Sequence, residues 1–458
     1  MSGPELGTQD ASVGAAGRPL PATVLQVGEG RFLRAFLGAL AAEAREAGRF
    51  EGRLVLTAPR PGGAERLAAL RARGGRYVIV VRGPAGESRV EIAPYDRIVD
   101  GFQESADLLA EVLSPAPLVV VSNTTEAGLA YRREDPARPE TYPGRLTRWL
   151  DLRRRAGVPA PTAVVPCELL TGNARLLREA VLRHAADWGL PAGALLGSVS
   201  FVETLVDRIV TSEDPADPFA CFTEPYMAFY LGGAPDWVRE ALPLDPRFVH
   251  WVADVAPARD RKVRLLNGTH TLMAVVGLPL GVAGVGEALG HPVLGPFLRA
   301  AMFEEGIGSF PPTERDPARA FALDTVARLQ NPGIRDTLAR LALQMTAKVG
   351  ARWTPILEGC RRERGAWPER FAAGVAAYLR LAAGADSGGF DVAPLDDPDW
   401  IGRLRALWRS DDPAGSVAEA AAAPGWPVPR DPGLTATVAA HAEAMTRRGL
   451  AAHLAALA

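Results

Sequence analysis

Short β-branched runs alternate with helix-like segments from Ala22 onward, and this alternation limits the folds open to the chain more than any other feature. The helix-like segments carry apolar residues at helical spacing, as in 31–48 and 173–189. Strands that alternate with helices pair in a mainly parallel sheet with helices on both faces. The sequence therefore predicts an α/β fold that starts with a doubly wound domain. Its strand candidates are TVLQVG (23–28), GRLVLTAP (52–59), PLVVVSN (117–123) and TAVVPCE (162–168).

The pattern changes in two places. RYVIVVRG (76–83) and SRVEIAPY (88–95), separated by a short turn, predict a β-hairpin inserted after the second strand. GSVSFVETLVDRIV (197–210) closes the α/β part, and from about residue 215 the strand signals thin out in favour of helical spacing. The remaining predicted helices are at about 103–113, about 143–155, 262–277, 283–305, 316–330, 332–365, 368–384, 398–410 and 432–456.

These patterns divide the 458 residues into three parts, enough for two domains that each bury a full core. We expect a flexible tail over 1–20 and a Rossmann-type dinucleotide-binding domain over 21–212. A mainly α-helical C-terminal domain, expected to bind the substrate, follows over 213–458.

Charge and composition exclude several classes of protein. A net charge of −2 gives no basis for binding nucleic acid, which requires concentrated basic surface. No apolar run reaches the roughly 18–20 residues that span a bilayer, and the first twenty residues lack the features of a signal peptide. Cys167, Cys221 and Cys360 are isolated, which indicates a reducing cytoplasm rather than disulfides or a thiolate zinc site. We expect a cytoplasmic protein, as a monomer or small homo-oligomer, without membrane or nucleic-acid partners.

A glycine loop follows the first strand. Gly28 and Gly30 lie where backbone N–H groups at a helix start would bind a dinucleotide diphosphate, and Arg31 and Phe32 follow directly. Leu33 stands where the third glycine of GxGxxG would be. A methyltransferase loop and a plain strand-to-helix turn therefore stay open, although the methyltransferase motif usually has an acid at the position of Gln26, two residues before the first glycine.

The end of the second strand bears on the choice of cofactor. An acid there binds the ribose 2′-hydroxyl of NAD, whereas an arginine accommodates the 2′-phosphate of NADP. The sequence has Thr57-Ala58-Pro59-Arg60, without an acid. We expect NAD as the cofactor, with NADP left open by Arg60.

Two residue types are scarce, which makes their positions informative. Only Lys262 and Lys348 are lysines among 51 basic residues. A lysine can shift its pKa and release a proton near neutral pH, whereas arginine stays charged. Asparagine is also scarce, with four in the whole chain: Asn123, Asn173, Asn267 and Asn331.

The stretch RKVRLLNGTH (261–270) contains one of the two lysines, one of the four asparagines and a histidine. Lys262 can act as general acid/base in the reduction of a ketone, Asn267 can polarise the carbonyl, and His270 can orient either partner. On an α-helix Asn267 and His270 share a face, but Lys262 and Asn267 are about 140° apart. They converge only if Lys262 lies at the helix start or reaches over with its long side chain. A polar helix start with an incidental histidine is the alternative.

Two other asparagines follow strands at the expected carboxyl edge of the sheet. Asn123, with Thr124 behind it, ends the strand at 117–121, where cofactor and substrate meet in such folds. Asn173 follows the strand at 162–166. Capping of a helix is the alternative for Asn173, as it is for Asn331 in the helical domain.

Several segments together resemble the long-chain polyol dehydrogenase family, which includes mannitol dehydrogenase, fructuronate reductase and tagaturonate reductase. Ordered similarity covers about residues 22–450, and SNTTEAG and PCEL are most similar to the tagaturonate reductase (altronate oxidoreductase) branch. The segments are VLQVGEGRFLRAF (24–36), VVSNTTEAGLAY (120–131), PCELLTGNARLLREAVLRHAADWGL (166–190), TLVDRIVT (204–211), KVRLLNGTHTL (262–272), VGEAL (285–289) and NPGIRDTLARLAL…TAKVGAR (331–352).

The resemblance implies a metal-independent reductase with a Lys-x4-Asn-x2-His motif, matched by Lys262, Asn267 and His270. It implies that Asn173 helps to form the oxyanion pocket and that Gly28 and Gly30 belong to the cofactor loop. The TAPR segment and the compact 212–248 segment depart from the family pattern.

The resemblance leads to a substrate hypothesis: NAD(P)-dependent, reversible reduction of tagaturonate to altronate in hexuronate catabolism. The uronate carboxylate needs a cation, and the candidates are Arg208, Arg264, Lys348 and Arg352. The same chemistry on fructuronate, mannitol or another polyol is the nearest alternative. A methyltransferase and a non-catalytic sensor of nucleotide or sugar acid are the alternatives from other classes.

Overall fold

The computed structural model describes residues 20–58, 60, 62–100, 105–211, 216–333, 336–386 and 388–458. The chain divides into two units, one that ends at Ala256 and one that runs Pro257–Ala458. The tail expected over 1–20 lies outside the described residues apart from its last position. The domain boundary expected at 212–213 also falls outside them, and the first unit extends beyond it because further strands follow.

All strands of the described residues belong to the first unit. They are β1 (Thr23–Val27), β2 (Arg53–Thr57), β3 (Tyr77–Gly83), β4 (Gly86–Ile92), β5 (Arg97–Val99), β6 (Leu118–Ser122), β7 (Thr162–Pro166), β8 (Val199–Phe201), β9 (Glu203–Asp207), β10 (Val210–Thr211), β11 (Cys221–Thr223), β12 (Ala228–Gly232) and β13 (Val249–Val252).

The main sheet of the described residues has the order β5-β2-β1-β6-β7-β8, and every neighbouring pair is parallel. Counted within this sheet, the order is 3-2-1-4-5-6, that of a dinucleotide-binding Rossmann fold. Every residue of β1, β6 and β7 is buried, because helices cover both faces. The predicted doubly wound α/β fold is confirmed, and the order of the sheet reverses between β1 and β6.

Two smaller sheets complete the first unit. The predicted hairpin is confirmed as β3 and β4, which extend to a sheet of order β10-β11-β3-β4. A third sheet has the order β13-β12-β9. Beyond residue 215, where the strand signals of the sequence thin out, three more strands follow: β11 pairs with β3, β12 pairs with β9, and β13 pairs with β12.

The helices of the first unit cover the main sheet and connect its strands. They are α1 (Arg31–Leu33), α2 (Ala39–Glu46), α3 (Gly63–Ala72), α4 (Ala106–Val112), α5 (Tyr142–Arg155), α6 (Asn173–Asp187), α7 (Ala192–Leu196) and α8 (Asp236–Ala241), with a π-helical turn at Arg34–Gly38 and a 3₁₀ turn at Glu126–Leu129.

In the described residues the second unit is helical, as predicted, around one apolar core. Its helices are α9 (Ala256–Arg261, which starts at the boundary), α10 (Gly268–Gly277), α11 (Val285–Gly290), α12 (Leu294–Ala300), α13 (Arg315–Leu329), α14 (Leu338–Leu341), α15 (Met345–Arg364), α16 (Glu369–Ala383), α17 (Pro398–Leu407), α18 (Pro413–Ala422), α19 (Pro432–Arg448) and α20 (Leu450–Ala456). Lys262–Asn267 and Ala301–Gly306 are π-helical, and Leu278–Leu280, Pro312–Glu314 and Ala393–Leu395 are 3₁₀ turns.

Some predicted helices are shorter than expected. The helix over 332–365 is interrupted before α15, because Gln344 adopts a left-handed conformation with φ 52°. The helix over 432–456 is divided at Gly449, whose φ is 80°. Each interruption falls where the backbone leaves the right-handed helical region.

No helix of the described residues is both long and apolar enough to cross a bilayer.

Candidate active site

The glycine loop lies at the point where the strand order reverses. Gly28 follows β1, and its N–H donates to the carbonyl of Thr57 at 2.8 Å. Its φ of 128° is open to glycine but strained for other residues, and an added Cβ would lie 3.0 Å from the carbonyl oxygen of Asn123. Gly30 has open space around it. Gly28 therefore lets the loop pass close to the end of β6, and a larger residue at this position would meet the Asn123 carbonyl.

A buried arginine, Arg34, holds the backbone of this loop. Arg34 is fully buried and donates to the backbone carbonyl of Glu29, while Tyr77 donates from its hydroxyl to the carbonyl of Arg34 at 2.9 Å. Of the predicted cofactor residues that follow the loop, Arg31 is exposed, and Phe32 stacks on Phe36 with ring centroids 4.9 Å apart. Arg34 was not among the predicted site residues.

The β6 end is fixed to the β7 end by a buried carboxylate. Glu168 accepts hydrogen bonds from the backbone N–H of Thr124 at 2.8 Å, from its hydroxyl at 3.0 Å and from the hydroxyl of Ser122 at 3.2 Å. Burial raises the pKa of Glu168. The side-chain amide of Asn123 donates to the carbonyl of Cys167 at 2.7 Å. Asn123 and Thr124 therefore follow the carboxyl end of β6, and Glu168, which sequence reasoning missed, fixes Thr124 there.

Asn173 is buried at 1% exposure at the start of α6. Its amide nitrogen has the carbonyls of Pro166 and Glu168 at 2.9 and 3.1 Å and the hydroxyl of Thr204 at 3.0 Å. Its side-chain oxygen accepts from the N–H of Ala174 at 2.8 Å and from that of Thr204 at 3.3 Å. The side-chain amide of Asn173 thus connects β7, α6 and β9. Its N–H groups are used by these contacts, so none is free for the expected oxyanion pocket in this structure.

Arg208 also holds backbone in the first unit. It donates to the carbonyl of Ala35, inside the π-helical turn, and to that of Glu224 at 3.2 Å. A π-helical turn shifts the hydrogen-bond ladder, so its carbonyls need other donors. Arg208 supplies one of them, so its guanidinium is already used in holding the backbone.

Arg60 is exposed at the carboxyl end of β2, where the sequence placed the choice of cofactor. Its backbone carbonyl accepts from the N–H of Gly63 at 3.1 Å. Pro59, between Arg60 and the strand, lies outside the described residues.

In the second unit the lysine motif lies in a π-helical turn and not at the start of a regular α-helix. The turn is Lys262–Asn267, and His270 follows in the first turn of α10. In a π-helix the hydrogen bond joins residues five apart, so Lys262 and Asn267 come nearly one above the other. The α-helical expectation of about 140° between them is wrong. All three residues are half-buried.

Helix α15 carries two cations, of which Arg352 contacts this turn. Arg352 donates through Nη1 to the hydroxyl of Thr271 at 3.0 Å and to the carbonyl of Asn267 at 3.3 Å. Lys348, one helical turn before it, donates to the carbonyl of Leu341 at 3.0 Å. Burial lowers the pKa of both, and Arg352 lowers that of Lys348 further. Within the described residues neither has a carboxylate partner.

Arg264, the remaining cation predicted to bind the substrate carboxylate, is already paired with Asp260. It donates to the carbonyl of Ser309 at 2.8 Å and to Asp260 at 3.2 Å, and its guanidinium lies over the ring of Phe310 at 4.4 Å. Among the predicted substrate cations, Arg264 is paired with Asp260 and Arg208 is used on the backbone carbonyls of Ala35 and Glu224. Arg352 and Lys348 keep guanidinium or ammonium N–H groups that have no carboxylate partner within the described residues.

Both units match models of one family. The mannitol dehydrogenase Rossmann domain matches residues 22–238, and the mannitol dehydrogenase C-terminal domain matches residues 254–446. The chain is 32% identical over 423 residues to the altronate oxidoreductase of Klebsiella pneumoniae, covering 86% of each chain. It is also 32% identical over 421 residues to that of Bacillus subtilis, covering 86% of this chain and 85% of the relative.

Solved structures share the fold. A ternary complex of Pseudomonas fluorescens mannitol 2-dehydrogenase with NAD and D-mannitol superposes with a TM-score of 0.71 at 22% identity, covering 98% of this chain and 95% of that one. A substrate-free D-sorbitol dehydrogenase superposes with a TM-score of 0.79 at 20% identity, covering 98% and 96%. At these identities the similarity is one of fold.

Proposed function

Because the chain belongs to the mannitol dehydrogenase family, we propose that it is a nicotinamide-dependent reductase that interconverts tagaturonate and altronate. The family and the altronate oxidoreductase relatives make it a dehydrogenase of CH–OH groups, which removes the methyltransferase alternative. The observation that carries the substrate proposal is the π-helical turn of Lys262 and Asn267 beside Arg352, a cation without a carboxylate partner among the described residues.

The glycine loop fits a dinucleotide. Gly28 holds a conformation and a close approach that a Cβ would disturb, and Gly30 leaves open space before the helix. Asn123 and Thr124 border the same crevice at the reversal of strand order. A nicotinamide cofactor bound there supplies or accepts the hydride.

Lys262 is the proposed general acid/base. As the ketone is reduced, its oxygen gains negative charge and needs a proton, which the Lys262 ammonium delivers from Nζ. In the reverse direction the neutral amine takes the proton from the alcohol. An ammonium group can both donate the proton and stabilise the alkoxide, so this proposal needs no metal.

Asn267 and His270 complete the proposed proton-transfer site. The amide N–H of Asn267 donates to the substrate oxygen and stabilises its developing charge. Its backbone is fixed by Arg352 and by Thr271, whose hydroxyl donates to the Asn267 carbonyl at 3.1 Å. His270 orients the substrate or the lysine.

Arg352 is the proposed partner of the substrate carboxylate, with Lys348 adding positive charge. Planar guanidinium groups bind carboxylates through two parallel hydrogen bonds. This cationic pair favours a sugar acid over a neutral polyol, in agreement with the names of the relatives.

A substrate panel tests the proposal. We expect NADH oxidation, followed by absorbance, with tagaturonate, weaker turnover with fructuronate, and the weakest turnover with the neutral ketose fructose. A higher kcat/KM for fructose than for either keto-uronate would contradict the assignment of a sugar-acid substrate. No cofactor oxidation with any of the three would overturn the proposed reaction.

A further inference from the structure

At the carboxyl end of β2, Rossmann domains bind the adenosine ribose and distinguish NAD from NADP. An acid there accepts hydrogen bonds from the 2′- and 3′-hydroxyls of NAD. In this chain β2 ends at Thr57, and Ala58 and Arg60 follow it without a carboxylate. A discriminating acid, if present, must come from another segment.

Glu29, the middle residue of the glycine loop, brings a carboxylate to that place. An added Cβ at Gly63 would lie 3.5 Å from both Cδ and Oε2 of Glu29, and 2.3 Å from the Cβ of Ala58. Ala58 directly follows β2, and Gly63 is the first residue of α3. The Glu29 carboxylate and Ala58, at the end of β2, therefore both lie next to Gly63. Because Gly63 has no side chain, the space beside the carboxylate stays open.

The position of Glu29 is fixed, whereas its carboxylate has no partner within the described residues. The backbone carbonyl of Glu29 accepts from buried Arg34, and Gly28 and Gly30 flank it, so the residue is held by its main chain. Its side chain is half-buried and has no hydrogen bond or ion pair within the described residues.

The geometry points to Glu29 as the residue that selects NAD over NADP, as a substitute for the acid missing from β2. This inference rests on the dinucleotide site of the proposed function. The carboxylate accepts charge-assisted hydrogen bonds from the ribose hydroxyls. The 2′-phosphate of NADP, which carries about two negative charges, would be repelled by it.

Arg60 works in the opposite direction, because a cation at the β2 end accommodates a 2′-phosphate. It is exposed and has no hydrogen bond or ion pair from its side chain within the described residues. Glu29 is half-buried and anchored by its backbone, so we expect the carboxylate to prevail over the arginine.

Direct titration of NAD⁺ and NADP⁺, followed by tryptophan fluorescence, tests the inference without turnover. We expect wild type to bind NAD⁺ at least about tenfold tighter than NADP⁺. Glu29→Gln should weaken NAD⁺ binding about tenfold, since hydrogen bonds to a neutral amide are weaker than those to a carboxylate. It should also strengthen NADP⁺ binding about tenfold through loss of one repulsive charge.

Glu65→Gln is the matched control, since Glu65 is exposed in the first turn of the same helix α3 and loses the same charge. A change in the ratio of the two dissociation constants no larger than in this control would overturn the inference, as would a wild-type preference for NADP⁺. A wild-type preference for NADP⁺ would overturn the inference even if the Gln variant failed to fold, and Glu29→Ala then serves as the second variant for the comparison with Glu65→Gln. Binding of both cofactors with an unchanged ratio overturns only the role of Glu29, whereas binding of neither overturns the proposed function as well.

Discussion

Arg352→Met removes the guanidinium beside Asn267 and is expected to separate acidic from neutral substrates. Only Nη1 of Arg352 is used within the described residues, on Thr271 and the Asn267 carbonyl. The Nε–H and the two Nη2–H groups remain, and one Nε–H and one Nη2–H form the side-on fork that binds a carboxylate.

The magnitude follows from this geometry. Two charge-assisted hydrogen bonds of about 1.5–2 kcal/mol each amount to about 3–4 kcal/mol, so kcat/KM for tagaturonate should fall by a factor of about 10²–10³. For fructose, which has no carboxylate, only the support of Asn267 is lost, and the fall should stay below about tenfold. Initial rates of NADH oxidation with both substrates measure the difference.

Arg362→Met is the matched control, because Arg362 lies on the same helix α15, is exposed and pairs with Glu363 at 2.8 Å. It should leave both rates within about twofold of wild type. Equal losses with tagaturonate and fructose in Arg352→Met would refute the carboxylate role and leave Arg352 as a structural support of Asn267.

Two further predictions concern stability. Asn173→Ala should destabilise the first unit by about 2–4 kcal/mol, because buried backbone groups of Ala174 and Thr204 lose their acceptor; thermal unfolding measures this, and normal stability with strongly reduced kcat would instead support a role at the substrate oxygen. His441 and His453 are buried, with Nδ1 of one 2.9 Å from Nε2 of the other, and burial lowers the pKa of each to about 4. Between the unfolded pKa near 6.5 and about 4 the unfolded state binds more protons, so stability should fall with decreasing pH by up to about 1.4 kcal/mol per pH unit for each histidine. His441→Gln should flatten this dependence in denaturant unfolding from pH 7 to 4, and an unchanged slope would contradict the assignment.

The sequence predicts those parts of the fold that depend on local pattern. β1, β6 and β7 are buried on both faces and read as continuous β-branched runs, so their positions follow from the residues alone. β11 depends on β3, a partner far away in the chain, and β12 depends on β9, while the short segments of β11 and β12 carry little signal of their own. The first unit therefore continues past the boundary expected at 212–213 and ends at Ala256.

The π-helical turn shows why part of the site could not be predicted. No residue in KVRLLN forbids an α-helix, and the turn depends on tertiary packing. An added Cβ at Gly268 would lie 2.9 Å from Cδ1 of Ile356, and one at Gly306 would lie 2.9 Å from Cδ2 of Leu265. The sequence identifies Lys262 and Asn267 through their rarity, whereas their alignment on one face needs the structure.

Glu29 and Glu168 were missed because acids are common in this chain and rarity gives no signal for them. The combination of an acid between two glycines and the lack of one after β2 could have indicated Glu29. Glu168 has no comparable signal, since its burial between the β6 and β7 ends depends on strand order.

The two lysines of the chain offer the most direct test of proton transfer by Lys262. The measurement is the tagaturonate-dependent rate of NADH oxidation in Lys262→Arg and Lys348→Arg, each at saturating cofactor. Arginine keeps the charge but stays protonated, so Lys262→Arg should lose at least about 10³-fold in kcat while NADH still binds. Lys348→Arg should stay within about tenfold of wild type, because its proposed role needs only charge. A Lys262→Arg enzyme as active as Lys348→Arg would contradict the assignment of Lys262 as the general acid/base.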